Sequence, residues 1–146
     1  MKETEITIYD QNIWGCLPHG EKIQNRNALI RELVEYHNAD IIAFQECAPT
    51  TSREGDRAID KLLSDEYSEV HTDAKEKNFT PIFYKKNRFS IIESGYFAYE
   101  KQSSTMSKSL TYAVLSENES GARFGMISTH FWWKPFKVFD KGARFR

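Results

Sequence analysis

The stretch DIIAFQE, residues 40–46, constrains this chain more than any other. Four consecutive apolar residues, 41–44, match the length of a strand and leave no polar face for water, so both sides of that strand must be covered. Before it, residues 22–40 follow helical spacing. Ile23, Ile30, Val34 and His37 fall along one side, with Leu29, Leu33 and Tyr36 beside them and Asn38 as a stop. Earlier still, EITIYDQNIW alternates Ile6 and Ile8 against Thr7 and Tyr9 and breaks at GCLPHG. Residues 5–46 therefore predict a strand, helix, strand unit, whose two strands are parallel neighbours joined by a right-handed crossover. Parallel strands end at the same rim of a sheet. That places Asn12 beside Glu46, at the edge where sheets of this kind hold ligands.

The rest of the chain changes period. Thr51 with Glu54 has the pattern of a helix capping box, and Ala58, Ile59, Leu62 and Leu63 supply an inner stripe for a second helix. YSEVHT, FTPIFYKK, RFSIIESGYFAY, SLTYAVLSE and RFGMISTHF then read as strands, with turns at Lys86–Asn87 and at ENESG. Pro81 implies an edge or irregular position. An antiparallel meander following a parallel unit predicts an α/β fold with a mixed β-sheet and flanking helices.

A chain of 146 residues without repeats or linkers fits one domain. Its 40% apolar and 28% charged residues are globular in character. The formal net charge of -1 gives no broad attraction for nucleic acid or membrane, so an anionic ligand must be held by a local site. Cys16 and Cys47 form neither a disulfide framework nor a metal-binding spacing. No window has the length and apolarity of a membrane span, and the N-terminus has no signal core. The default compartment is the cytoplasm; a secreted protein after signal removal would read the same way.

The residues suited to chemistry are Asn12, Glu46 and His130, each at or beyond the end of a predicted strand. A carboxylate supported by an amide oxygen suits a hard divalent cation that retains several waters. Each residue also has a plainer reading: Glu46 as a solvated acid ending a strand, Asn12 as a partner for turn backbone, and His130 as a hydrogen-bonded core imidazole. Trp132 and Trp133 read as a flap or core edge, or as a stacking surface. Lys85, Lys86 and Arg88 read as a solvated turn, or as phosphate contacts; His19 and His71 read as surface or packing residues. No phosphate-cradling glycine loop and no nucleophile elbow is present.

Taken in order, YDQNIW, DIIAFQE, TPIFYKKNRFSIIESGYF, SLTYAVL and GMISTHF resemble the metal-dependent endonuclease/exonuclease/phosphatase superfamily over about residues 5–131. The resemblance implies half of a four-layer αββα sandwich, two stacked mixed sheets with helices outside. It implies that Asn12 is the active-site asparagine, that Glu46 is the magnesium-binding glutamate with Asn12 beside it, and that His130 contacts the scissile phosphate. Magnesium, or manganese in its place, would neutralise charge as water attacks a phosphodiester or phosphomonoester.

Two departures qualify that expectation. Where relatives carry a Glu ahead of the Pro-Ile-Phe-Tyr strand, this chain has Asn78, with Glu76 just upstream. The Asp-x-Asn and Asp-His segments of the second half do not occur in this sequence. Residues 1–146 thus read as the N-terminal part of one such domain, its C-terminal half absent and its activity as a fragment weak or lost. The alternative is a noncatalytic binding or assembly module. The expected partners are a phosphate-ester substrate and either a second copy or a complementing C-terminal half, since one sheet without its mate would expose a large apolar face.

Overall fold

The computed structural model describes residues 4–13, 20–47, 58–72, 78–99 and 108–131; for 20–26 and 58 it describes the backbone alone. Nine elements occur among them: β1 (Ile8–Asn12), α1 (Gly20–Tyr36), β2 (Ile41–Gln45), α2 (Ala58–Leu63), β3 (Tyr67–Glu69), β4 (Ile82–Lys85), β5 (Phe89–Ala98), β6 (Ser109–Glu117) and β7 (Arg123–Thr129). The proposed capping pair Thr51–Glu54 lies outside the described residues, as do Glu76, Trp132, Trp133, His19 and Cys16.

The strand, helix, strand unit forms as expected. β1 pairs with β2 in parallel, with Ile8 opposite Ile41 and Asn12 opposite Gln45. Its helix ends by a physical device the sequence hinted at: Asn38 adopts a left-handed φ of 48°, which Asn tolerates better than most residues. The amide of Asn38 then donates to the Glu35 carbonyl and that of Ala39 to Val34, closing the last turn. The buried side of α1 is Asn27, Ile30 and Val34, whereas Leu29, Leu33, Tyr36 and His37 face solvent. Arg31 ties α1 to α2 by donating to the Leu62 carbonyl and to Asp65.

Two sheets result. The first is mixed, in the order β1-β2-β4-β3, with β2–β4 and β4–β3 antiparallel. The second, β5-β6-β7, is antiparallel throughout. The turn at Lys86–Asn87 therefore does not close a paired hairpin. β4 already has neighbours on both edges, so the chain crosses there into the other layer. Pro81 sits just before β4 and accepts from the amide of Phe44, an irregular position where its missing N–H costs nothing.

β2 explains its own composition. Ile42 and Phe44 pack toward the helices with Ile30, Val34, Ile59 and Leu63. Ile41 turns the other way, toward Val70, Ile82, Phe89, Ala113 and Leu115 between the sheets. The expectation of a sheet lacking its mate is thus corrected: both sheets occur in this chain and cover each other's inner face. Exposed apolar groups lie elsewhere, with Ile92, Phe97, Ile127 and Phe131 about half exposed along the second sheet and just past it.

The reading of Lys85 and Arg88 as a solvated turn is also corrected. Lys85 is buried and donates to the side-chain and backbone oxygens of Asn38, at 2.6 and 3.2 Å. Arg88 meets Asp40 at 2.6 Å and lies 3.7 Å from Glu117. Asp40 in turn accepts from the Thr7 amide at 2.9 Å. These charges pin the helix end, the start of β1 and the second sheet together. Burial pushes the Asp40 carboxyl up, but the Thr7 amide, Arg88 and Lys85 together hold it below its ordinary value.

Candidate active site

The parallel register fixes the first half of the site. Because Asn12 stands opposite Gln45, the side chain one residue further along, Glu46, comes within reach of Asn12. Glu46 has φ of 54°, a left-handed conformation that a non-glycine residue adopts at a cost of roughly 1–2 kcal/mol. It turns the chain sharply out of β2, and the next residue, Cys47, buries its side chain and donates its amide to the Phe79 carbonyl. The strand thus delivers a carboxylate at its tip because the strained turn aims it out of the core.

The second half arrives from the other sheet. Ser128, buried on β7, donates to the Phe44 carbonyl at 3.1 Å and accepts from Gln45 Nε2 at 3.3 Å, stitching β7 across the end of β2. Gln45 Nε2 also donates to Asp10 Oδ1 at 2.7 Å. His130 follows β7, its amide donating to the Ser109 carbonyl at 3.0 Å. The three expected residues accordingly meet around one oxygen. Asn12 Nδ2 donates to Glu46 Oε1 at 3.2 Å, and His130 Nε2 lies 3.3 Å from the same atom.

Lys108, which sequence reasoning did not single out, completes the group. It is buried at the start of β6, with Nζ 2.8 Å from His130 Nε2 and 3.2 Å from Nδ1. The β6–β7 register, with Leu110 opposite Thr129, explains how a residue ahead of one strand reaches a residue behind the other. Gln45, Asp10 and Ser128 were likewise not assigned. The period of two did put Ser128 on the side of His130, and that was the available signal.

Asn78 takes a different part. Its Oδ1 accepts from the Thr80 amide and from Thr111 Oγ1, each at 3.0 Å. The Thr80 hydroxyl also meets Ser109 Oγ at 3.1 Å and Thr111 Oγ1 at 3.2 Å. This buried cluster joins the two sheets, and it occupies the oxygen of Asn78.

The site's chemistry is that of one partly exposed carboxylate facing an amide and an imidazole, with an ammonium against that imidazole. Glu46 and His130 side chains are 18% and 13% exposed, so both are reachable yet held. Among the described residues no group of three His, Cys, Asp or Glu side chains gathers as a metal cluster. Asn12 meets Glu46 through its amide nitrogen, which holds that carboxylate in place. His71 lies at the surface. A separate pocket of about 470 Å³, with Asp40, Lys85, Arg88 and Glu117 in its wall, opens at the opposite end of β2, where these charges are paired with one another.

No family model and no curated protein matches the sequence. Solved structures do. A mannosyl-6-phosphatase of Bacteroides thetaiotaomicron is similar at 20% identity and a TM-score of 0.66, over 84% of this chain and 50% of that one. An endonuclease/exonuclease/phosphatase family protein from the same organism matches at 20% identity and a TM-score of 0.66, over 84% and 48%. The human Nocturnin catalytic domain with bound sulfate matches at 19% identity and a TM-score of 0.61, over 84% and 48%. The chain thus spans about half the length of the solved structures it matches. Over that span its two sheets and flanking helices have the fold of the endonuclease/exonuclease/phosphatase proteins.

Proposed function

We propose that this chain contributes the first part of a divalent-metal-dependent phosphoesterase domain, with Asn12, Glu46 and His130 as its site residues. The observation that carries this reading is the meeting of Asn12 and His130 at one oxygen of Glu46, from chain segments 34 and 84 residues apart.

The donor set fits a magnesium or manganese ion that takes one carboxylate and keeps several waters, as hard cations at phosphate sites do. Glu46 would hold it, with Asn12 fixing the carboxylate. Bound there, the ion supplies charge neutralisation at a phosphoester oxygen. The chain's own residues do the remainder. His130, steadied by its backbone bond to Ser109, offers a ring N–H to a phosphate oxygen, and Lys108 keeps a positive charge beside it. Gln45, bridging Asp10 and Ser128, locks the two sheets so that these groups keep their spacing.

Sugar phosphates are the first substrates to test. The near-zero net charge lacks the basic footprint of strong nucleic-acid binding, and a sugar phosphatase has the same fold. The intact gene product containing this chain should hydrolyse a phosphoester only with magnesium or manganese present, and Glu46→Gln should lower kcat/KM by at least about a hundredfold, a transition-state loss near 2.7 kcal/mol. Absence of metal-dependent turnover on sugar phosphates, phospholipids and oligonucleotides would overturn the assignment.

One observation favours a second reading, as an assembly module: Phe97 and Ile127 are more than half exposed on the second sheet. Light scattering decides it, because a chain that stays monomeric as its concentration rises, and binds no complementing segment, has no such role.

A further inference from the structure

We infer that two copies of this chain dock edge to edge about a twofold axis along the strands, β1 of each pairing with β7 of the other. The two layers are stepped. Ser94 on β5 donates to the His71 carbonyl beyond β3, Thr111 on β6 meets Thr80 ahead of β4, and Ser128 on β7 donates to the Phe44 carbonyl on β2. The second sheet therefore lies against β3, β4 and β2, and β1 overhangs it by one strand. The inner face of β1 shows the consequence. Ile6 packs into the cluster between the sheets, whereas Ile8, two residues on along the same face, is half exposed. On the recessed side, Phe124 and Met126 of β7 are only partly buried in that cluster.

The two edges match. Among the described residues β1 and β7 each have a neighbouring strand on one side alone. The Ile13 amide donates to the Gln45 carbonyl and the Ile41 amide to the Thr7 carbonyl, so odd residues face β2 and the backbone of Ile8 and Asp10 faces outward. The His130 amide donates to Ser109, so even residues of β7 face β6 and the backbone of Arg123, Gly125 and Ile127 faces outward. Both strands run toward the rim where Asn12 and His130 meet Glu46. Ser128, touching Phe44 and Gln45, stands level with their register partners Gln11 and Asn12. Rotation about the strand direction keeps that level and sets each overhang into the other copy's recess, a self-complementary contact. Two continuous sheets result, each with four strands from one copy and three from the other. A twofold along the sheet normal would instead pair β1 with β1 and leave a gap between the β7 edges.

The helix layer fits the same placement. Arg31 ties α1 to α2, which packs beside β3, so the opposite flank of α1 stands over the β1 edge, where His37 and Tyr9 ring centroids are 6.1 Å apart. That flank carries Leu29, Leu33 and Tyr36, all exposed. Docked, it lies over the outer face of β7 in the second copy, where Ile127 is more than half exposed. One placement thus covers apolar groups from both layers of the single chain.

Light scattering of the 146-residue chain should show a dimer that dissociates on dilution. Gly125→Pro removes an outward N–H and keeps the bonds of β7 to β6, and a Cβ added there meets nothing within 4 Å. It should weaken the dimer by at least about tenfold with a native circular dichroism spectrum. Gln11→Cys with Ile127→Cys, in a Cys16→Ser background, reads the geometry. The two positions lie on the outward faces of different sheets, too far apart in one chain for a disulfide, but side by side across the seam. Mild oxidation should therefore give a covalent dimer from the double variant and from neither single variant. A chain that stays monomeric at every concentration, as residues 132–146 laid along β7 would produce, overturns the inference. So does a folded Gly125→Pro chain that dimerises as wild type, and the cross-link decides if that variant does not fold. A dimer cross-linked by Ile127→Cys alone, joined through the face of the second sheet, overturns it while leaving the assembly reading standing. No turnover is measured, so failure of the phosphoesterase assays leaves this result untouched.

Discussion

Glu46 Oε1 accepts a hydrogen bond from Asn12 Nδ2 at 3.2 Å across 34 residues of sequence, and it does so from a residue held at φ of 54°. A backbone conformation that disfavours side chains has been kept where a carboxylate is needed. Such strain is stored where surrounding structure over-determines it. Substitution separates the two demands. Glu46→Gly, which enters the left-handed region without penalty, should be more stable than Glu46→Ala by about 1 kcal/mol. Urea unfolding of the two variants measures the difference. Equal midpoints would mean that the turn at Glu46 relaxes and stores no strain.

The same carboxylate is the expected cation ligand. Manganese added to the isotopically labelled chain should broaden the signals of Asn12, Glu46 and His130 before those of β3 or the β4–β5 turn, which lie away from the rim. Glu46→Gln should weaken that binding by at least about a hundredfold, and Asn12→Ala by about tenfold, the low end of what loss of an orienting neighbour costs in metal affinity. Uniform broadening over the surface, unchanged in Glu46→Gln, would remove the cation from this site.

Part of this site was readable from spacing. The all-apolar run 41–44 required a covered strand, and its crossover from the first strand required a shared rim, so Asn12 and Glu46 could be put together from topology. His130 was a candidate for its place just past a strand end, and period two fixed its side relative to Ser128; only its role at a phosphate came through family resemblance. Lys108 was not legible, because its position depends on the register of β6 against β7, which no local pattern encodes. Lys85 and Arg88 were misread for a related reason. A basic run beside a turn looks solvated until the chain crosses between sheets there and brings Asp40 and Glu117 against it.

Asp40 gives the fold a defined acid response. Its folded carboxyl titrates below the ordinary value, so its stabilisation is complete above the unfolded value of about 3.9 and is lost as pH falls through the lower folded value. Asp40→Asn keeps an acceptor for the Thr7 amide but leaves Lys85 and Arg88 with less countercharge. Breaking a fully buried pair costs about 3–5 kcal/mol, and the partial exposure of Arg88 lowers the expectation to about 2 kcal/mol at pH 7. The difference between wild type and Asp40→Asn should shrink as pH is lowered below about 4. Urea midpoints across that range test it, and a difference that stays constant would show that Asp40 is not the titrating group.

Gly95 and Tyr112 form a cross-strand pair on β5 and β6. A Cβ placed on Gly95 would come within 2.4 Å of the Tyr112 ring, so the ring occupies the space a side chain would take. The clash is with the far part of a side chain whose hydroxyl donates to Glu93 at 3.2 Å, and the ring can swing aside at the expense of that bond and its packing. Gly95→Ala should therefore destabilise by about 1 kcal/mol, at the low end of overpacking costs. In a Tyr112→Ala background the obstacle is gone. There the loss of glycine's backbone freedom in the unfolded chain dominates, and the same substitution should stabilise by about 0.5 kcal/mol. A sign that does not reverse between the two backgrounds would mean that the cost arises in the β5 backbone itself rather than from the tyrosine ring above it.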